Sequence, residues 1–330
     1  MAGDKLDPYR GKRDRKRTPE PIPENAPLPQ GNDDTFVIQE HHARRLHWDL
    51  RLERDGVLVS WAVPKGLPRD PSTNHLAVHT EDHPLEYAAF EGEIPKGEYG
   101  GGRVLIWDRG TYETEKWTER EVKVVLHGSQ VSGRYVLFQT DGKNWMVHRM
   151  DPPLDPAEEP LPRVLLPMLA SRRSRLPSAA DGYTFEFAWG GERTLAYVEG
   201  GRVRFTDATG ADVTGDHPRA RALGAQLGAR PALLDGEMTD LEGTPTYVIF
   251  DVLHLDGRPL LAEPHHRRRA VLDRLGLSGA HWQNAPSFPG EGAAVRRVAR
   301  DRGLPGVIAK RRDSPYVPGT TSDAWLLIPT

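Results

Sequence analysis

The 330-residue chain has no cysteine. Disulfides and thiolate metal sites are thereby excluded, a reducing interior is expected, and any metal must be held by His, Asp or Glu. No apolar run approaches the ~20 residues needed to cross a bilayer, and the charged start does not read as a signal peptide. A cytoplasmic location with no membrane partner is the expectation. A formal net charge of −3 gives no overall attraction for nucleic acid, so only local basic patches can face phosphates. Lysine is almost missing from the second half, where Lys310 is the only one after residue 150.

Against these absences one segment is dense with chemistry. From Leu46 to Glu53 apolar residues (Leu46, Trp48, Leu50, Leu52) alternate strictly with polar ones (His47, Asp49, Arg51, Glu53). Side chains two apart on a strand share a face, so this predicts a β-strand with the apolar set in a core and His47, Asp49 and Arg51 in a row. With His41 just upstream, two imidazoles and a carboxylate form a ligand set for a divalent metal, and the arginine suits a phosphate. The same row equally fits the solvated face of an antiparallel sheet.

Length suits two domains. Residues 1–34 are polar, proline-rich and aperiodic, and read as an arm. Its basic run (Arg10, Lys12, Arg13, Arg15, Lys16, Arg17) is either a solvated tail or a phosphate-facing patch. From Thr35 onward, alternating segments at 35–39, 46–53, 57–63, 75–79, 103–107, 122–126, 134–139 and 144–149 are separated by Gly and Asp-Gly turns. This predicts an antiparallel β-barrel domain over 35–151. Gly97 and Gly100 to Gly102 are expected in a hairpin turn, because no helix follows to make a phosphate loop. Residues 152–167 hold six prolines and predict a linker. Over 168–330, strand-like pieces (183–188, 194–198, 202–206, 231–235, 246–252) alternate with helical ones (217–226, 263–275, 291–302), predicting an α+β domain.

The first half carries, in order, Arg10–Asp14, Thr18–Pro21, Phe36–His41, Leu46–Glu53, Ser60–Gly66, Glu81–Tyr87, Phe90–Gly92, Ile94–Gly100 and Ile106–Gly110. In these blocks it resembles the 3′-phosphoesterase domain at the front of bacterial ligase D, the end-joining repair ligase. The resemblance implies that His41, His47 and Asp49 hold a metal, manganese by preference, with zinc compatible with the same residue types. It implies that Arg13, Arg51, Lys65, His83 and Tyr87 face the phosphate, His83 serving as general acid to the leaving oxygen. Asp14, Glu20 and Glu81 would be supporting carboxylates. One position departs: an arginine often found before Leu76-Ala77-Val78 is His75 here, which bears on substrate binding. His42, His79, His127 and His148 read as structural or solvated.

The second half carries Asp235-Gly236-Glu237, Phe250–Gly257, Val307–Tyr316 and Trp325-Leu326. It resembles the nucleotidyltransferase (adenylation) domain of ATP-dependent DNA ligases, without their C-terminal oligonucleotide-binding domain. The departures concern the chemistry. That family's lysine nucleophile lies in a Lys-x-Asp-Gly-x-Arg motif, which is here Ala188-Trp189-Gly190-Gly191-Glu192-Arg193. Pro305 replaces a glutamate, and Leu327 and Pro329 replace two lysines. A lysyl-AMP intermediate needs an amine that alanine lacks. The expectation is a degenerate ligase domain. Arg193, Glu237, Phe250 and Lys310 either line a vestigial nucleotide cleft, Phe250 stacking on a base, or persist as scaffolding; ATP binding is left open.

Taken together, the resemblance implies a metal-dependent 3′-end-healing enzyme of bacterial double-strand break repair, nucleoid-associated, acting on DNA or RNA–DNA 3′ ends. Ku, a ligase or a polymerase of end joining would be its partners. The alternatives are a working ATP-dependent DNA ligase and a non-catalytic DNA-end-binding adaptor.

Overall fold

A computed structural model describes residues 4–23, 31–153, 155, 157–228 and 230–330. They form two compact units divided between residues 156 and 157, each described here by itself. Residues 1–3 and 24–30 of the expected arm, and 154 and 156 of the expected linker, lie outside the described residues.

The first unit is a closed antiparallel barrel. Its strands are β1 (Thr35–His42), β2 (Leu46–Arg54), β3 (Val57–Val63), β4 (Asn74–His79), β5 (Gly92–Ile94), β6 (Gly102–Trp117), β7 (Glu121–Gly128), β8 (Ser132–Asp141) and β9 (Asn144–Arg149). Eight of them run in the order β1-β2-β3-β4-β9-β8-β7-β6, and β6 pairs back onto β1. Closure leaves no exposed sheet edge in the ring. β5 forms a short hairpin with the start of β6, so the glycines at 97 and 100–102 do lie in a hairpin connection. β6 runs ten residues beyond the expected 103–107. The turn-type residues Asp108 and Gly110 have other tasks there. Asp108 accepts backbone hydrogen bonds from Ser129, Gln130 and Val131, and a Cβ at Gly110 would sit 2.0 Å from the His127 carbonyl oxygen.

The arm is not a solvated tail. Leu6 and Tyr9 are buried against Val57, Leu58 and Tyr87, each burial contributing roughly 1.5–3 kcal/mol.

The second unit is α+β. One sheet has the order β13-β12-β14-β15, from β12 (Glu192–Glu199), β13 (Arg202–Asp207), β14 (Ala232–Leu241) and β15 (Thr244–Leu255). A second contains β10 (Leu169–Arg172), β11 (Tyr183–Ala188), β16 (Gly306–Arg311) and β17 (Thr321–Pro329), in the order β10-β17-β16-β11. The longer helices are α1 (His265–Leu275) and α2 (Gly292–Asp301). The helix expected over 217–226 is reduced to Leu223–Leu227, ended by Gly228 at φ 59°. The last part of the expected linker is docked rather than free. The Leu165 N–H donates to Tyr197 Oη at 2.7 Å, and the Leu165 side chain joins the core of this unit.

Candidate metal and phosphate site

Strand register builds the cluster. β1 and β2 pair so that His41 faces His47 and Gln39 faces Asp49, while Ser60 of β3 faces Arg51. Partners directly opposite share a face, so a one-residue slip would scatter the set. The row on β2 is not solvated: Asp49 and Arg51 are only 5% and 3% exposed. The arm and the segment around His83 and Tyr87 cover it.

Two imidazoles converge on Asp49. His41 Nδ1 lies 3.6 Å from Asp49 Oδ2, and His47 Nε2 lies 3.5 Å from Oδ1. Both distances are too long for hydrogen bonds. The far nitrogens are engaged: His41 Nε2 donates to the Gly100 carbonyl at 2.8 Å, and His47 Nδ1 to the Arg45 carbonyl at 3.0 Å. In the tautomers these bonds select, each ring aims a lone pair toward the carboxylate. Backbone carbonyls orienting the outer N–H are the usual support of metal-binding histidines. The three ligand atoms lie within 4.8 Å of one another, a separation that ligands on one divalent ion at roughly 2.0–2.2 Å can adopt. Lone pairs facing a carboxylate repel unless a cation lies between them. The residues therefore fit a metal.

Arg51 organises the second side. Its Nε donates to Gln39 Oε1 at 2.7 Å, Nη1 to Ser60 Oγ at 2.9 Å, and Nη2 to Asp49 Oδ2 at 2.8 Å, while His83 Nδ1 lies 2.9 Å from Nη1 and 2.9 Å from the Glu81 carbonyl. Three of its five N–H groups are thus spent on oxygen acceptors, and at most two are left for a phosphate oxygen. Burial alone would raise the Asp49 pKa, but the Arg51 guanidinium beside it outweighs burial and holds the carboxyl well below the usual range.

Arg13 reaches in from the arm. It donates to Glu20 Oε1 at 2.8 Å and Glu81 Oε1 at 3.2 Å, lies 3.5 Å from His83 Nε2, and covers the Tyr9 ring at 3.8 Å. Tyr87 donates its phenol to Glu20 at 3.1 Å, with its ring 4.7 Å from the Arg51 guanidinium, so in the free chain it braces Glu20. Burial, then Arg51 and Arg13, push the His83 pKa well below the usual histidine value. The free chain does not hold a ready-protonated acid there. Lys12, Arg13 and Arg51 balance Asp49, Glu20 and Glu81. A dication and a phosphate dianion arriving together would leave that balance unchanged.

The structure thus brings together His41, His47, Asp49, Arg51, Arg13, His83, Tyr87, Glu20 and Glu81. Lys65 is exposed in the turn after β3. Asp14 is exposed too, and it makes a turn: its Oδ1 accepts the Lys16 N–H and its carbonyl those of Arg17 and Thr18. His75 donates to the Gly66 carbonyl at 2.7 Å. Sequence reasoning missed Gln39, Ser60 and Gly100. The signal for Gln39 was its i, i+2 spacing from His41; Ser60 and Gly100 needed the register.

In the second unit, Arg193, Phe250 and Lys310 also meet. Arg193 grips Asp235 with two bonds of 2.6 Å and donates to the Met168 carbonyl at 3.0 Å. Its guanidinium lies 4.7 Å from the Phe250 ring, and Lys310 Nζ lies 4.2 Å from the same ring and 2.8 Å from Glu186. Burial pushes the Lys310 pKa down against the pull of Glu186. Glu237, opposite Arg193, accepts the backbone N–H groups of Trp189 and Gly191. Phe250 already carries two cations against its ring.

Residues 39–139 match the DNA ligase D 3′-phosphoesterase domain family, and 239–328 the ATP-dependent DNA ligase domain family. The multifunctional non-homologous end joining protein LigD of Mycobacterium bovis is 47% identical over 98% of this chain and 45% of its own length. The Pseudomonas aeruginosa protein of the same name is 31% identical over 96% of this chain and 46% of its length. The chain thus spans just under half of these relatives. A mycobacterial DNA ligase D complexed with ATP and MES matches 50% of this chain and 60% of that one, at 35% identity and a TM-score of 0.46.

Proposed function

From a chain that joins a ligase D 3′-phosphoesterase domain to an ATP-dependent DNA ligase domain, we propose that the first unit is a metal-dependent healer of 3′ ends and that the second does not ligate. The substrate is a DNA or RNA–DNA end in double-strand break repair. A terminal ribonucleoside is removed by a cleavage that depends on the neighbouring 2′-OH and leaves a 3′-phosphate, and that phosphate is then hydrolysed by water to a 3′-OH and inorganic phosphate. The observation that carries this reading is the convergence of two imidazole nitrogens on the Asp49 carboxylate, all three ligand atoms within 4.8 Å of one another.

His41, His47 and Asp49 would hold the ion, which when bound supplies a Lewis acid for a phosphoryl oxygen. Manganese suits the mixed nitrogen and oxygen ligands. Arg51 fixes Asp49 and offers its remaining N–H groups beside it. Arg13 brings positive charge from the arm to the opposite side. His83 takes up a proton with the incoming phosphate charge and only then can deliver it to the leaving oxygen. The ligase reading is weaker because Ala188 provides no amine and Lys310 is buried on Glu186.

Purified protein should convert a 3′-phosphate primer to a 3′-OH primer with manganese and do nothing with EDTA. Absence of dephosphorylation under conditions where a ligase D phosphoesterase works would refute the proposal.

A further inference from the structure

Among the described residues Tyr99 is the only exposed Phe, Trp or Tyr, at 47%. Its surroundings place it at the rim of the metal and phosphate cluster. The next residue, Gly100, supplies the carbonyl that orients His41. The Tyr99 hydroxyl accepts from Lys12 Nζ at 3.1 Å and lies 3.4 Å from Glu81, the carboxylate that also holds Arg13. Tyr99 therefore lies against the arm cations Lys12 and Arg13, one residue from the carbonyl that orients the metal ligand His41.

The loop that presents it is rigidly seated. Gly97 and Gly100 turn with φ of 98° and 77°, values open to glycine and strained for other residues. A Cβ at Gly101 would meet the Pro95 carbonyl at 2.9 Å, and one at Gly102 the His42 carbonyl at 2.4 Å. Lys12 lies 4.3 Å from the ring centroid, and the ring still keeps nearly half its exposure. A phosphate held between His41, His47, Asp49 and Arg13 brings the sugar and base of its own nucleotide to this rim.

We propose that Tyr99 is a stacking platform for the 3′-terminal nucleobase, and so a specificity-determining residue of the 3′-phosphoesterase site; this rests on the 3′-end reading above. Every base has a π-face, so such a platform accepts any terminal nucleotide and disfavours an abasic one. The test uses the full chain, manganese and two 3′-phosphate primers, one ending in a normal nucleotide and one in an abasic tetrahydrofuran residue. On the normal primer Tyr99→Ala should raise KM about tenfold with kcat within about twofold, and Tyr99→Phe should match the wild type. On the abasic primer wild type and Tyr99→Ala should agree within about twofold. Manganese affinity should be the same in all three proteins. An equal loss on both primers, which a purely structural brace would give, or no loss on either, overturns the proposal. Fluorescence anisotropy with the same primers reads the base preference without turnover. An inactive wild type that still prefers the normal primer through Tyr99 would defeat the phosphoesterase reading and leave the platform standing.

Discussion

In the barrel, Asp49 faces two imidazole nitrogens at 3.5 and 3.6 Å with no hydrogen bond to either; in the second unit, Asp235 is gripped by both arms of Arg193 at 2.6 Å. Both clusters bury carboxylates, arginines and aromatic rings. They differ in where the unspent capacity lies. The barrel keeps lone pairs aimed at one point, next to the partly exposed His47. In the second unit the atoms without a hydrogen bond, among them Glu186 Oε1, both His265 nitrogens and Arg269 Nη1, are sealed from solvent, and the cations beside Phe250 lie on Asp235 and Glu186. A binding site is recognised by incompleteness that a ligand can reach, more than by its residue types.

The comparison breaks first at Asp49. Asp49→Asn keeps the shape but removes the charge between the imidazoles. It should abolish manganese binding and lower 3′-phosphatase activity at least about a thousandfold, or ~4 kcal/mol in the barrier. His42→Ala, whose ring bonds Glu40, should stay within about twofold. Calorimetric manganese titration with the primer assay checks both, and equal behaviour of the two variants would dissolve the site.

In the second unit, breaking a charge pair should cost stability and leave activity intact. Arg268 and Asp251 form a bidentate pair with no solvent exposure at 2.9 and 2.8 Å. Arg268→Met strands the Asp251 carboxylate and should destabilise this unit by about 3–5 kcal/mol. Hydrogen exchange of β11 and β16 amides reads this loss, while 3′-phosphatase activity at low temperature should be unchanged.

Much of this was legible in the sequence, and the reason is periodicity. Alternation over Leu46–Glu53 located β2 and aligned His47, Asp49 and Arg51, and the eight alternating segments correspond to the eight strands of the ring. What alternation cannot report is what covers a face. The arm has no period, so the burial of Leu6 and Tyr9 was invisible, and Arg13 was reached only through the resemblance. Gly100 acts through its carbonyl, which no side-chain pattern reveals. Lys65 and Asp14 show the opposite limit. Both lie within matching motifs and both are exposed, and Asp14 is spent on a turn.

Acid should separate the units further. Burial, then Lys310, push the His265 pKa down to about 3, while in the unfolded chain it returns to ~6.5. Between these values the unfolded state binds more protons. The stability is therefore full above pH ~6.5 and falls as pH drops toward 3, by about 3 kcal/mol at pH 4. His265→Gln should flatten this part of the profile, followed by exchange of the same amides. An unchanged slope would mean that His265 is not as dry as its surroundings indicate.

The smallest expected effect is the most telling about the second unit. Ala188→Lys restores the missing amine at the end of β11, where residue 188 pairs with Gly306. It does not restore the other changes. Gly190 and Pro305 still replace acidic residues, and Leu327 and Pro329 still replace lysines. The Phe250 ring remains flanked by Arg193 and Lys310, and Lys310 remains on Glu186. A nucleophile alone lacks the preorganised charge that a phosphoryl transfer needs around the triphosphate and its metal. Incubated with labelled ATP and magnesium, Ala188→Lys should therefore give no acid-stable adduct, like the unaltered chain. An adduct mapping to residue 188 would show that the cluster opens for nucleotide, and that only one side chain separates this unit from adenylation.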